Sequence, residues 1–246
     1  MAGYGYNLIQ PLSVISNSAD QVDYPASNLL LPSIDRPWYA AGVGSRSIDF
    51  DFGAPTVIDG VYLNDVNIAS VGIATGDSLA ALTNQTAMTL YRASHGRWRG
   101  LSRFQQTKRF VRLTFNAATQ DGLAYYRGGS VLFWGAWASL VPPNFGISVS
   151  LQRAQARIDM ANQRTALSTL AKGIDEINMA YEHKLSEIGQ VADFIERASA
   201  GPVVFDLQHS FRPWYMWALR IVDERSSEQM DKVRLATRQI LCQEVA

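Results

Sequence analysis

"SRSIDFDFGAPTVIDGVYLNDVNI", residues 45–68, sets the fold class of this chain. Its first part alternates strictly, with Ile48, Phe50 and Phe52 on one side of an extended chain and Ser47, Asp49 and Asp51 on the other. Successive strand side chains point to opposite faces, so the pattern describes a half-buried antiparallel strand whose polar face is solvated. The Gly-Ala-Pro at 53–55 reads as a turn, after which residues 57–68 form a second β-rich run.

The same texture surrounds it. "RFVRLTF" (109–115) places Val111, Leu113 and Phe115 opposite Phe110, Arg112 and Thr114, and "GSVLFWGAWASL" (129–140) is an aromatic-rich run suited to a sheet. Up to about Leu140, Gly, Pro, Asn, Asp and Ser interrupt short β-rich runs and no helical period lasts. Short strands at regular spacing indicate a β-sandwich or barrel. "VPPNFG" (141–146) is the best linker, because consecutive prolines exclude both helix and central strand.

Beyond the linker the runs lengthen. "DEINMAYEHKL" (175–185) sets Ile177, Met179, Tyr181, His183 and Leu185 against Glu176, Asn178, Ala180, Glu182 and Lys184. "KLSEIGQVADFIERASAGPVVFDL" (184–207) then reads as a helix over 186–199. Ser186 caps it, Glu187 suits the positive end of the helix dipole, and Ile188, Val191, Ala192, Ile195 and Ala198 form one apolar stripe, buried within its own domain. Gly201 is expected in the left-handed conformation that closes a helix, and Pro202 sends the chain into the strand of Val203, Val204 and Phe205. "WYMWALRIV" (214–222), a polar turn "DERSSEQMD" (223–231) and a closing run "KVRLATRQILCQEV" (232–245) follow. "RIDMANQRTALSTL" (157–170) reads as strands or a hairpin, since Thr165, Ser168 and Thr169 weaken a helix there.

The totals bound the function. The chain has 246 residues, 47% of them hydrophobic, and no formal net charge, which suggests neither a nucleic-acid coat nor a membrane-surface protein. No segment approaches the roughly 20 apolar residues of a membrane span, and the N-terminus lacks a basic start and apolar core, so the expectation is a soluble protein made in a cytoplasm. Cys242, the only cysteine, lies in a strand-like run and reads as a buried small hydrophobe.

Signs of catalysis are scarce. His95, His183 and His209 lack metal-ligand spacing, and there is no GxSxG elbow, P-loop or GxGxxG after a strand. Asp49 and Asp51 share a strand face, which reads first as a solvated surface that deters edge-to-edge aggregation, ahead of a calcium or acid–base pair. Arg92, Arg97, Arg99, Arg103, Lys108, Arg109 and Arg112 occur with no acidic residue between Asp77 and Asp121, interleaved with Trp98 and Phe104. Such a stretch suits a protein interface or solvated surface first, and phosphate, acidic glycan or nucleic acid second. The aromatics of 211–217 are too crowded for one strand face, so some are expected to meet a partner. No residue stands out as catalytic, cofactor-binding or metal-binding, and a non-enzyme is expected.

Two resemblances add to this. Residues 144–246, with a long alternating strand, a helix, a Gly-Pro turn into an apolar strand and a closing strand ending "QEV", resemble the tail-tube module of bacteriophage distal tail proteins. That resemblance implies a small β-barrel plugged by the helix, a ring of copies, commonly a hexamer, and partners among the tail tube, tape measure, baseplate hub and tail fibre proteins of a virion. The N-terminal "YPASNLLLPSIDRPWYAAG", "SRSIDFDFGAPTVIDGVYL" and "KRFVRLTF" resemble a discoidin or galactose-binding-like β-sandwich. That family often binds carbohydrate with loops at one end, implying a possible host glycan. The expectation is therefore a mainly β protein with a sandwich over 1–143 and a barrel over 144–246. Its expected role is a structural virion protein at the tail tip or baseplate, with a glycan-binding adhesin as the alternative.

Overall fold

The computed structural model describes residues 2–16, 20, 22–31, 36–42, 44–93, 97–143, 147–152, 155–159, 165–169, 174–184, 188–208, 213, 216–227 and 235–244. The first half carries β1 (Gly3–Ile9), β2 (Ser13–Ser16), a 3-10 helix (Ala26–Leu30), β3 (Trp38–Ala41), β4 (Arg46–Val66) and β5 (Ser70–Gly76). Short strands β6 (Thr83–Asn84), β7 (Met88–Thr89) and β8 (Tyr91–Arg92) lead to β9 (Trp98–Phe115), β10 (Tyr125–Gly128) and β11 (Ser130–Ser139). The second half carries β12 (Ile147–Gln152), β13 (Gln155–Asp159), β14 (Thr165–Thr169) and β15 (Ile174–Lys184). Helix α1 (Ile188–Ala200), β16 (Val203–Asp206), β17 (Met216–Ser227) and β18 (Leu235–Glu244) complete it.

The chain is mainly β, and its first half is a sandwich built from two strands longer than their sequence pattern suggests. The Gly-Ala-Pro at 53–55 does not end a strand: β4 runs through it, and the register with β9 shifts between Asp51 and Thr56. Gly53 takes a φ of 78°, which a side chain disfavours, and this bulge bends the strand. Phe50, before the bend, packs edge-on against Phe133 of β11 at 5.0 Å, while β11 itself pairs with residues 60–64 of β4 beyond it. The two ends of one strand thus serve opposite layers, with Ile48, Phe50, Leu63, Val111, Leu113 and Phe115 fully buried between them.

β1 joins this sandwich to the second half. It pairs with β11 along one edge and, through Gly3, Tyr4 and Gly5, with β16 along the other. The main sheet therefore runs β12-β15-β18-β17-β16-β1-β11-β4-β9-β5-β6. The expected C-terminal barrel is corrected by this order. Among the described residues the sheet does not close, because β16 gives its second edge to β1 instead of to a strand returning from β12.

Helix α1 lies on this open sheet. Val191, Phe194 and Ala198 are fully buried and Ile195 is 7% exposed, packed with Ile177, Met179, Tyr181, Phe205, Trp217 and Leu219. Val191, Ile195 and Ala198 of the expected stripe are thus covered by their own chain, whereas Ala192 is half-buried and Phe194, outside that stripe, is buried. Ser186 and Glu187 lie outside the described residues, as do the side chains of His183 and Ile188. The helix stop differs from expectation: Gly201 has no positive φ, and its N–H closes the last turn on the Arg197 carbonyl at 3.1 Å. In the ambiguous 157–170 segment, residues 157–159 and 165–169 belong to the antiparallel pair β13 and β14, and the polar run after Val222 continues β17 as far as Ser227 before leaving the described residues.

Candidate functional site

Most of the basic stretch is paired with carboxylates of its own chain. Strand pairing sets Asp49 opposite Arg112, whose Nε and Nη2 donate to the two carboxylate oxygens at 2.6 and 2.8 Å. Arg109 makes the same fork on Asp51 at 2.8 and 2.9 Å. Asp49 and Asp51 are only 6% and 9% exposed, which corrects the solvated strand face: alternation assigns the face, whereas arginines from β9 cover it. Lys108 meets Asp77 at 2.7 Å, and Arg103 lies 3.4 Å from Asp59 and 4.7 Å from the Trp137 ring centre. Arg97 and Arg99 are buried against Glu244 of β18 at 3.3 and 3.5 Å. Of the seven cations named above, only Arg92 lacks a carboxylate partner among the described residues, while Arg103, Lys108, Arg109 and Arg112 keep 32–42% of their side chains exposed.

Cys242 is fully buried and its thiol is pushed up to about 12 by burial, which fits a core residue. His95 and His209, with Phe211, Trp214 and Tyr215, lie outside the described residues. Trp217 is buried and stacks on Phe205 at 6.3 Å, so this member of the aromatic run serves the core. Among the described residues no group of three metal-capable side chains forms. No helix among them is long and apolar enough to cross a membrane.

Among the described residues two carboxyls are held below their ordinary value. The Arg109 fork holds Asp51 below the ordinary value of 3.8, and Arg197 with the Tyr4 phenol does the same for Asp193. A carboxyl depressed by folding contributes stability that is complete above its unfolded value and lost as pH falls through the folded one. Asp51→Asn should therefore lower the urea midpoint at neutral pH, and the gap from the native chain should shrink as pH falls below 3.8.

The arrangement with an open, unsatisfied polar surface lies elsewhere, where β3 pairs with β10. Tyr24, Tyr39 and Tyr125 form a row of half-buried rings, edge to face, with centres 4.6 and 5.3 Å apart. Their backbones are fixed: the Tyr39 N–H donates to the Tyr24 carbonyl at 3.1 Å, and Tyr125 pairs with Ala41. None of the three hydroxyls has a hydrogen bond among the described residues. Beside the row, Arg127 donates from Nη2 to Asp65 Oδ1 at 2.9 Å, while its buried Nε has no partner among the described residues. Asp65 sits at φ 54° although fully buried, a strained backbone of the kind that persists where surroundings impose it. Asn67 ties the ledge together, accepting from the Arg127 N–H at 2.9 Å and donating to the Tyr125 carbonyl at 2.9 Å. Partial burial pushes the Tyr39 phenol up, keeping it a neutral donor at physiological pH. Sequence reasoning missed this site because each tyrosine stands in a different turn-rich segment and only strand pairing unites them.

No family model matches the sequence, and no curated protein does. Solved structures match in part. The CBM32 of AlyQ in complex with 4,5-unsaturated mannuronic acid is 17% identical with a TM-score of 0.41, over 52% of this chain and 98% of that one. CBM32-3 from a family 31 glycoside hydrolase of Clostridium perfringens is 15% identical with a TM-score of 0.43, over 52% and 90%. Chitosan-binding module 1 from a chitosanase/glucanase of Paenibacillus sp. IK-5 is 19% identical with a TM-score of 0.39, over 52% and 96%. These are carbohydrate-binding modules, and none of the three is a phage tail protein. At such low similarity they transfer neither a ligand nor a binding residue to this chain.

Proposed function

We propose that the chain is a non-catalytic glycan-binding protein that takes a saccharide at the tyrosine ledge of its sandwich. The observation that carries this reading is the row of Tyr24, Tyr39 and Tyr125 with free hydroxyls beside Arg127 and Asp65. A sugar presents an apolar C–H face and a rim of hydroxyls, and it needs an aromatic surface together with planar donors and acceptors. The full chain is expected to give signals on a glycan array, and Tyr39→Ala to weaken them roughly threefold to tenfold, as the loss of one aromatic contact implies. An array silent for the native chain, or signals indifferent to Tyr39→Ala, overturns the reading.

A second reading is a ring-forming component of a phage tail tip, with copies of itself and the tail tube, tape measure, baseplate hub and tail fibre proteins as partners. It is supported by the open end of the main sheet: β12 has no strand beyond it among the described residues, and such an edge is a template for a neighbouring copy. Electron microscopy of the purified chain should then show rings, whereas a monomer at high concentration by analytical ultracentrifugation speaks against it.

A further inference from the structure

A cleft lies at the seam between α1 and β1, away from the tyrosine ledge. It arises because Pro202 has no N–H to donate and β16 begins only at Val203, so β16 pairs with Gly3–Gly5 and leaves the edge of β1 beyond Gly5 open. The cleft measures about 430 Å³, inside the roughly 300–1,000 Å³ typical of small-ligand sites. Tyr6, Asn7, Asp193, Glu196, Arg197 and Pro202 are among its walls.

Part of this lining serves to dock the helix. The Tyr4 phenol donates to Asp193, Arg197 Nε donates to both Asp193 oxygens at 2.9 and 3.0 Å, and the guanidinium lies 3.9 Å from the centre of the Tyr6 ring. Docking uses Nε and the Asp193 carboxylate. It leaves the terminal nitrogens of Arg197, the exposed Glu196 carboxylate and the exposed Asn7 amide without partners among the described residues. Asn7 stands at φ 56°, the left-handed region that asparagine tolerates better than most residues, in the middle of a strand.

We propose that this cleft binds a neutral saccharide. Fixed donors on Arg197 and a free acceptor on Glu196 line one space, and a vicinal diol satisfies both by accepting from the guanidinium and donating to the carboxylate. An anionic ligand would meet Glu196 and the negative end of α1, while the one positive charge of the lining, Arg197, is already balanced by Asp193. The Pro202 ring, Leu8 and Val203 supply apolar wall for the sugar's C–H face. The site stands independently of the tyrosine ledge, and occupation of both would give one chain two sugar contacts.

The test is a nuclear magnetic resonance titration of the full ¹⁵N-labelled chain with glucose, galactose and N-acetylglucosamine, each to about 50 mM, a range suited to weak single-sugar binding. Saturable shifts are expected at the Asn7 and Gly201 amides and at Arg197 Nε. Glu196→Ala, an exposed position whose change leaves the fold intact, should weaken them about tenfold or more, as loss of a charged hydrogen bond does. Tyr39→Ala should leave them in place. Shifts confined to residues around Tyr39 overturn the cleft while sustaining the ledge. No shift at the cleft with any of the three sugars, or shifts unchanged in Glu196→Ala, also overturns it.

Discussion

Replacing Glu244 with glutamine is expected to cost about 3–5 kcal/mol of folding stability, the range for breaking a buried ion pair from one side. Glu244 is the last residue of β18, yet its side chain is fully buried in the first half of the molecule. Its oxygens face Arg97 at 3.3 Å and Arg99 at 3.5 Å, and Oε1 accepts from Asn64 Nδ2 at 3.2 Å. Arg99 also donates to the Met216 carbonyl at 3.0 Å and lies 5.8 Å from the centre of the Trp217 ring. Glutamine keeps the shape and one acceptor but removes the carboxylate charge that both buried guanidinium groups face. Equilibrium urea unfolding measures the loss, and a cost below about 1 kcal/mol would show that the pair does not hold the halves together. Lys108→Ala supplies the contrast. Its ion pair with Asp77 is 34% and 57% exposed, so its removal should change stability by less than about 1 kcal/mol.

The same latch shows where the sequence runs out as a guide. Periodicity is a local property, and wherever one buried face decided the structure it was legible. Ile177, Met179 and Tyr181 are all fully buried, as their alternation requires, and α1 begins and ends within two residues of the span read from its stripe and its Gly-Pro stop. Alternation does not say what covers the other face. Asp49 and Asp51 looked solvated because their partners, Arg112 and Arg109, stand some sixty positions away on β9. Barrel closure was equally hidden, since it depends on which edges meet. The strand that decides this, β1, meets β16 through Gly3, Tyr4 and Gly5, and its own alternation of Tyr4, Tyr6 and Leu8 with Gly3, Gly5 and Asn7 does not name the strands beside it. The tyrosine ledge shares that limitation, because three single aromatics in separate segments acquire meaning only when β3 pairs with β10.

Gly60→Ala is expected to destabilise the chain by about 3 kcal/mol, the upper end of the range for overpacking. A Cβ on Gly60 would lie 2.3 Å from Trp134 Cζ2 and 2.4 Å from the Ser102 carbonyl oxygen, far inside van der Waals contact. The indole cannot withdraw cheaply. It is fully buried, its Nε1 donates to Asp59 at 3.3 Å, and its other end already lies 2.6 Å from where a Cβ on Gly5 would stand. Nor can the carbonyl move, because it belongs to β9 inside the ladder with β4. Trp134→Phe in the same background should recover only part of the loss, since the smaller ring relieves the contact with the indole but not the one with the Ser102 backbone. Gly189→Ala is the opposite case: nothing among the described residues lies within 4 Å of its added Cβ, and in the first turn of α1 alanine should stabilise by about 0.5 kcal/mol. Urea midpoints read both. A small loss at Gly60 with unchanged tryptophan fluorescence would mean that Trp134 does not bridge β1 and β4. The continuity of the sheet from the sandwich to the α1 cleft would then lack its central packing contact.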